Sequence, residues 1–146
     1  MTNEHNKTIA RRAIEEVFGK GDPKAVDELI AEDFTPHDWG QAAKGREAML
    51  GAIQRTSKGL SDVEMRIEDI IGEGDLVAVR LTSSATQTGE FMGMPASGNR
   101  YSIPEIHIFR IRDGQVSEHW HQLDMLGMRR QLKASPATQP ATTAQR

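Results

Sequence analysis

Asp124, Glu105, His107 and His37 are the residues of this chain whose types and placement could move a proton. Asp113-Gly114 between two alternating segments is a strong two-residue hairpin signal. If it is the turn, Arg112 pairs with Gln115. His107 then lies opposite Trp120, Glu105 opposite Gln122 and Ile103 opposite Asp124. Period-two alternation puts Tyr101, Ile103, Glu105, His107, Phe109 and Ile111 on one face with Val116, Glu118, Trp120, Gln122 and Asp124. The other face carries Arg110, Arg112, Ser117, His119 and His121. Two carboxylates in a low-dielectric pocket cannot both ionise cheaply, so at least one pKa should rise, and a raised carboxylate can shuttle protons near neutral pH. His107 is either a donor to a developing oxyanion or a core histidine satisfied by Glu105. His37, in a loop with Trp39, is either at the rim or wall of the same cavity or an exposed loop histidine. His119-x-His121 has metal-like spacing, but it falls on the outer face without a third ligand, so no metal site is expected. Beside Ile108 these imidazoles fit a subunit contact, and a homodimer or homotetramer is expected.

These residues need elements to hold them. Ile9, Ala13, Ile14, Val17 and Phe18 fall at helical spacing before Gly19-Lys20-Gly21. Asp22 is an N-cap with Pro23 at the first helical position, and Val26, Leu29 and Ile30 form the next buried stripe. A loop bearing Phe34, Pro36, His37 and Trp39 follows, and residues 45–57 read as a third helix. From Asp62 the period changes to two. Val63, Met65 and Ile67 alternate, Gly72-Glu73-Gly74 turns the chain, and Leu76 to Leu81 reads as a strand. The connector from Phe91 to Gly98 is turn-rich, and a short amphipathic piece with Leu126, Met128 and Leu132 closes the patterned region. Helices first and antiparallel strands afterwards give an α+β domain over 1–132. Its helices cover one face of a curved sheet that encloses a cavity. Residues 133–146 lack the apolar content to fold and are expected to be disordered.

The 146 residues carry 18 basic and 21 acidic side chains without clustering, for a net charge of −3, and no cysteine. No basic stripe suits nucleic acid, and no apolar stretch is long enough to span a bilayer. A cytoplasmic protein is expected. Phosphate-cradling loops, nucleophile elbows and thiol nucleophiles are absent from the sequence, which points to acid–base chemistry without a cofactor.

Residues Gly89 to Gly98, the run Ile106-His107-Ile108-Phe109-Arg110, and Asp113-Gly114-Gln115-Val116 followed by Glu118, Trp120 and Asp124 closely resemble the SnoaL-like polyketide cyclases of the NTF2-like superfamily. The resemblance runs from the first helix to Leu132. It implies an α+β cone, with an antiparallel-rich sheet wrapped around three N-terminal helices. It also implies a cofactor-independent, aldol-type ring closure on a hydrophobic carbonyl or polyketide-like ligand. In its terms Asp124 is the general acid/base, and His107 and His37 share its cavity. Glu105, Trp120, Tyr101, Trp39, Phe91, Met94 and Phe109 are the candidate lining residues. Epoxide opening on the same cone and a non-catalytic ligand-binding module are the alternatives.

Overall fold

The computed structural model describes residues 2–40 and 43–134. Helix α1 (Asn3–Arg12) starts at Thr2, whose hydroxyl accepts the His5 N–H. It runs directly into a π-helical segment, Ala13–Gly19. Helix α2 (Pro23–Leu29) is capped by Asp22, which accepts the Lys24 N–H at 3.0 Å, as the Asp-Pro signal predicts. Strand β1 (Ile30–Pro36), α3 (Gly45–Gly59), β2 (Leu60–Glu73), β3 (Leu76–Gln87), β4 (Arg100–Arg112), β5 (Gln115–Leu123) and α4 (Met125–Lys133) complete the order. The expected tail begins at the end of α4, and residues 135–146 lie outside the described residues.

The strands form one curved, unclosed sheet in the order β1-β5-β4-β3-β2. All neighbouring pairs are antiparallel except β1 with β5, which is parallel. Strand β1 replaces the loop expected around Phe34. Its burial shows no strict alternation, so the period-two signal is missing.

The inner face is covered by helix. Ile9, Ala10, Ala13, Ile14 and Val17 pack with Val77, Val79, Leu81, Phe109, Ile111 and Val116 into one apolar cluster. Each fully buried large aliphatic or aromatic side chain there contributes about 1.5–3 kcal/mol. A second cluster joins Leu60, Ala85, Met94, Tyr101 and Ile103 with Met128 and Leu132 of α4. Strand β4 alternates as expected, with Tyr101, Ile103, Glu105, His107, Phe109 and Ile111 all buried. Glu105 and His107 therefore sit between the two clusters.

The β4–β5 hairpin begins as predicted. Asp113 and Gly114 both have positive φ (52° and 75°), as a type I′ turn requires, and Arg112 pairs with Gln115. The register then shifts. Ile111 pairs with Val116, but Arg110 pairs with Glu118, so Ser117 is an extra residue in β5. From there every β5 side chain takes the face opposite to the expected one. His107 lies opposite His121 and not Trp120, and Glu105 lies opposite Leu123 and not Gln122.

Candidate active site

The bulge changes which residues meet. His119 and His121 were expected on the outer face, yet they join Glu105 and His107 on the inner one, and His119 is fully buried. Trp120 and Glu118 turn outward. The imidazoles of His107, His119 and His121 lie with ring centroids 5.0–5.3 Å apart. The π-helical segment sets Phe18 against this cluster, 5.2 Å from His107 and 5.1 Å from His119, and Phe109 lies 5.0 Å from His119. Segments of this kind often occur at functional sites because the extra residue re-aims a side chain.

A directed chain of hydrogen bonds runs through the cluster. Trp39 Nε1 donates to His119 Nδ1 at 2.9 Å. His119 Nε2 and His107 Nδ1 are 2.9 Å apart, and His107 Nε2 is 2.8 Å from Glu105 Oε1. An indole nitrogen can only donate, so His119 Nδ1 must accept, and the His119 proton sits on Nε2. That proton is donated to His107 Nδ1, which fixes the His107 proton on Nε2, where it is donated to the Glu105 carboxylate. Both rings are thus neutral with assigned tautomers. Burial pushes the His119 pKa well down, and the neighbouring imidazoles of His107 and His121 add to this. His107 has no nitrogen left for a substrate oxyanion, so it is the satisfied partner of Glu105 that the sequence left open. The second oxygen of Glu105 has no partner among the described residues.

His121 differs from its neighbours. Its side chain is 20% exposed, and its Nδ1 lies 3.6 Å from Asp38 Oδ1 without a hydrogen bond. The Asp38 carboxylate is itself held by the His121 backbone N–H at 3.3 Å and by Gln122 Nε2 at 3.1 Å. Burial lowers the His121 pKa, with His107 next in effect, while Glu105 and Asp38 pull the other way. Tyr101 lies on the same inner face as Glu105, and burial pushes its phenol up to about 12. Ser83, also on that face, is buried beside the Tyr101 phenol, and its hydroxyl counters part of that rise.

The remaining expected site residues fall into three places. Met94 is buried against Tyr101 in the second apolar cluster, with Phe91 packed beside it. A reciprocal backbone pair between Phe91 and Met94 and the Gln87 side chain, donating to the Met94 carbonyl at 2.9 Å, hold that turn. Phe109 is core beneath the imidazoles. His37 does not join His107. It stacks on Trp120 at 4.6 Å on the outer side and contacts Glu118 at 3.0 Å. His37 foremost, with Arg110, holds the Glu118 carboxyl below its usual range. Trp120 is therefore no lining residue of the inner site.

Asp124 is also placed differently from expectation. Leu123 is the last inward residue of β5, and Asp124 is exposed as the N-cap of α4, its Oδ1 accepting the Gly127 N–H at 2.8 Å. A Cβ on Gly127 would lie 2.2 Å from Asp124 Oδ2, so glycine is what lets the cap close. His119, His121, Asp38 and Phe18 are the members of the cluster that sequence reasoning missed. The available signal was charge: the bulged register sets Glu118 across from Arg110 on the outer face, where they form an ion pair of 2.5 Å. Among the described residues no three His, Asp or Glu side chains are grouped to hold a metal ion, and no helix is long and apolar enough to cross a membrane.

Comparison with known proteins agrees with the fold. The chain is 36% identical over 129 residues to the aklanonic acid methyl ester cyclase DnrD of Streptomyces peucetius, covering 85% of this chain and 88% of that protein. It is 30% identical over 121 residues to the nogalonic acid methyl ester cyclase of Streptomyces nogalater, covering 79% and 88% of the two. The solved structure of TsrD from Streptomyces laurentii superposes with a TM-score of 0.83 at 31% identity, covering 92% of this chain and 99% of that one. The family model for SnoaL-like polyketide cyclases matches residues 8–132, and the chain belongs to that family.

Proposed function

We propose that the inner face is the active site of a cyclase that closes a ring in a polyketide methyl ester by intramolecular aldol addition, without a cofactor. A base on this face removes a proton from the carbon between two carbonyl groups. The enolate attacks a second carbonyl of the same molecule, and the alkoxide so formed takes a proton back, so the product is an isomer of the substrate. Tyr101, protonated throughout the neutral range, is suited to donate to the enolate oxygen. Desolvation by Phe18, Phe109 and the two apolar clusters strengthens each of these interactions. The observation that carries the reading is the directed chain from Trp39 to Glu105. It is a costly set of buried polar groups, each imidazole nitrogen of His107 and His119 paired and oriented, in a member of a cyclase family. The test is incubation with aklanonic acid methyl ester. A product of unchanged mass with one ring more is expected, and recovery of the starting ester would refute the reading.

A second assignment, Asp124 as the base, is favoured by the match of its motif to the family and by its Oδ2, which has no partner among the described residues. The two assignments differ in what Asp124→Asn does to turnover. We further propose that the protein is a homodimer through the outer sheet face. With His119 and His121 turned inward, that contact rests on Ile106 and Ile108, which are 51% and 36% exposed, beside Trp120.

A further inference from the structure

We propose that a cleft at the turn end of the sheet, remote from the inner site, binds a small primary alkylammonium ion. Three parts of the chain line it: Asn3 and Asn6 of α1, Gly74 and Asp75 at the β2–β3 turn, and Ile111 and Asp113 at the β4–β5 turn. Its volume of about 530 Å³ is in the range of small-molecule sites. Glu105 lies six residues back from Ile111 along β4, about 20 Å at the rise of an extended strand. The buried Phe109 stands between the two on the same face. The inference is therefore independent of the cyclase reading.

Asn6 carries it. The residue is 3% exposed, and its Oδ1 is buried without a hydrogen-bond partner. Its Nδ2 donates to the Gly74 carbonyl at 3.4 Å, so the amide lies among the groups that line the cleft. A buried acceptor without a donor destabilises the fold, and an apolar side chain at this helical position would carry no such cost. A ligand that donates hydrogen bonds from the cleft removes that cost.

Two carboxylates complete the set of acceptors. Asp75 Oδ1 accepts from Arg110 at 2.7 Å, while its Oδ2 lies 3.9 Å from Arg112 Nε, beyond hydrogen-bonding range. The Asp113 side chain makes no hydrogen bond or ion pair among the described residues. Asn6 Oδ1, Asp75 Oδ2 and Asp113 are thus three acceptors in want of donors, and a primary ammonium carries three donors and no acceptor. Gly74, at φ 61°, has open space where a Cβ would stand, which leaves the entrance clear. Ile111 offers an apolar wall to the alkyl body. A bare divalent cation fits less well. It needs about six or more oxygen ligands, and Arg110 and Arg112 set positive charge beside Asp75.

The experiment titrates the full chain with n-butylammonium chloride at neutral pH and follows its ¹H–¹⁵N spectra. Saturable shifts are expected at the Asn6 side-chain amide and at the Gly74, Asp75 and Asp113 N–H groups, with a Kd of about 1 mM. The Glu105 and His107 N–H signals should stay fixed, and saturable shifts there instead would overturn the site. Tetramethylammonium has the charge but no N–H, and should bind about tenfold more weakly. Asp113→Asn keeps a residue suited to the left-handed turn position while removing the charge, and should weaken butylammonium binding about tenfold. Asn6→Leu should abolish saturation without lowering the thermal midpoint. If that variant fails to fold, Asp113→Asn and the tetramethylammonium comparison decide. No saturation in wild type up to about 20 mM, equal binding of tetramethylammonium, or unchanged affinity in Asp113→Asn would each overturn the proposal. Calcium chloride shifting the same groups at lower concentration than butylammonium would overturn the ligand class.

Discussion

Replacing Trp39 by Phe tests the direction of the buried chain. The substitution keeps an aromatic ring beside Phe34, now 5.8 Å away edge-on, and removes the N–H that His119 Nδ1 accepts at 2.9 Å. His119 is fully buried, so water cannot take the donor's place without rearrangement. An orphaned buried acceptor costs about 1–3 kcal/mol. In a domain of this size each kcal/mol corresponds to about 3–5 °C, so a 2 kcal/mol loss lowers the midpoint by roughly 6–10 °C. The chemistry changes as well. If His119 moves its proton to Nδ1, His107 must donate through Nδ1 and present a bare Nε2 to Glu105, which requires Glu105 to be protonated. Calorimetry gives the midpoint and ¹⁵N-resolved imidazole spectra give the tautomers. Wild type should show protons on Nε2 of both His107 and His119, and Trp39→Phe should lose that uniformity. A midpoint within 1 °C of wild type, or a wild-type His119 protonated on Nδ1, would refute the directed chain.

Other expectations follow from the same geometry. Asp124→Ala should cost about 0.5–2 kcal/mol as a lost N-cap, Gly127→Ala should cost a similar amount by displacing the carboxylate, and the double variant should be no worse than either single one in urea unfolding. Additive losses would mean that the cap is not what they share. Tyr101→Phe should lower kcat by about 10²–10³-fold if the phenol holds the enolate oxygen, with binding much less affected; equal activity would remove it from the site. Stability should fall from about pH 6.5 downward, because His119 and His121 have folded pKa values below the unfolded one. Between those values the unfolded chain binds more protons, so acid favours unfolding, by about 1.4 kcal/mol per pH unit for each ring. Urea midpoints at pH 7.5 and 5.5 measure this above the range where Glu16, Glu28, Glu68 and Glu118 lose their native contacts. No change across that interval would contradict the buried neutral histidines.

Much of this architecture is legible in the sequence, and the misreadings have physical causes. Asp22-Pro23 fixes the start of α2, and Asp113-Gly114 fixes the hairpin turn, because each residue pair satisfies a local backbone demand that few others meet. The inner face of β4 follows from alternation alone. The single residue Ser117 is different. A bulge of this kind carries no glycine signal, yet it inverts the faces of β5 beyond it and exchanges Trp120 for His119 and His121. Strand β1 escapes notice because its pairing is parallel and its burial irregular, which reflects tertiary placement. That strand carries the chain to Asp38 and Trp39, so missing it also hides their contacts with the histidines. Asp124 carries two signals at once: its motif points to chemistry, and its local spacing to Gly127 is that of a helix cap.

The most direct test of an inner-face site is the turnover of Asp124→Asn on aklanonic acid methyl ester beside the wild-type protein. Asparagine retains the capping oxygen and removes proton affinity. With Asp124 a cap and the proton transfer on the inner face, kcat should stay within about threefold of wild type, far from the 10²–10⁴-fold loss that follows removal of a general base. A loss of that larger size in a variant with an unchanged thermal midpoint would place the chemistry at Asp124 and contradict the inner-face account.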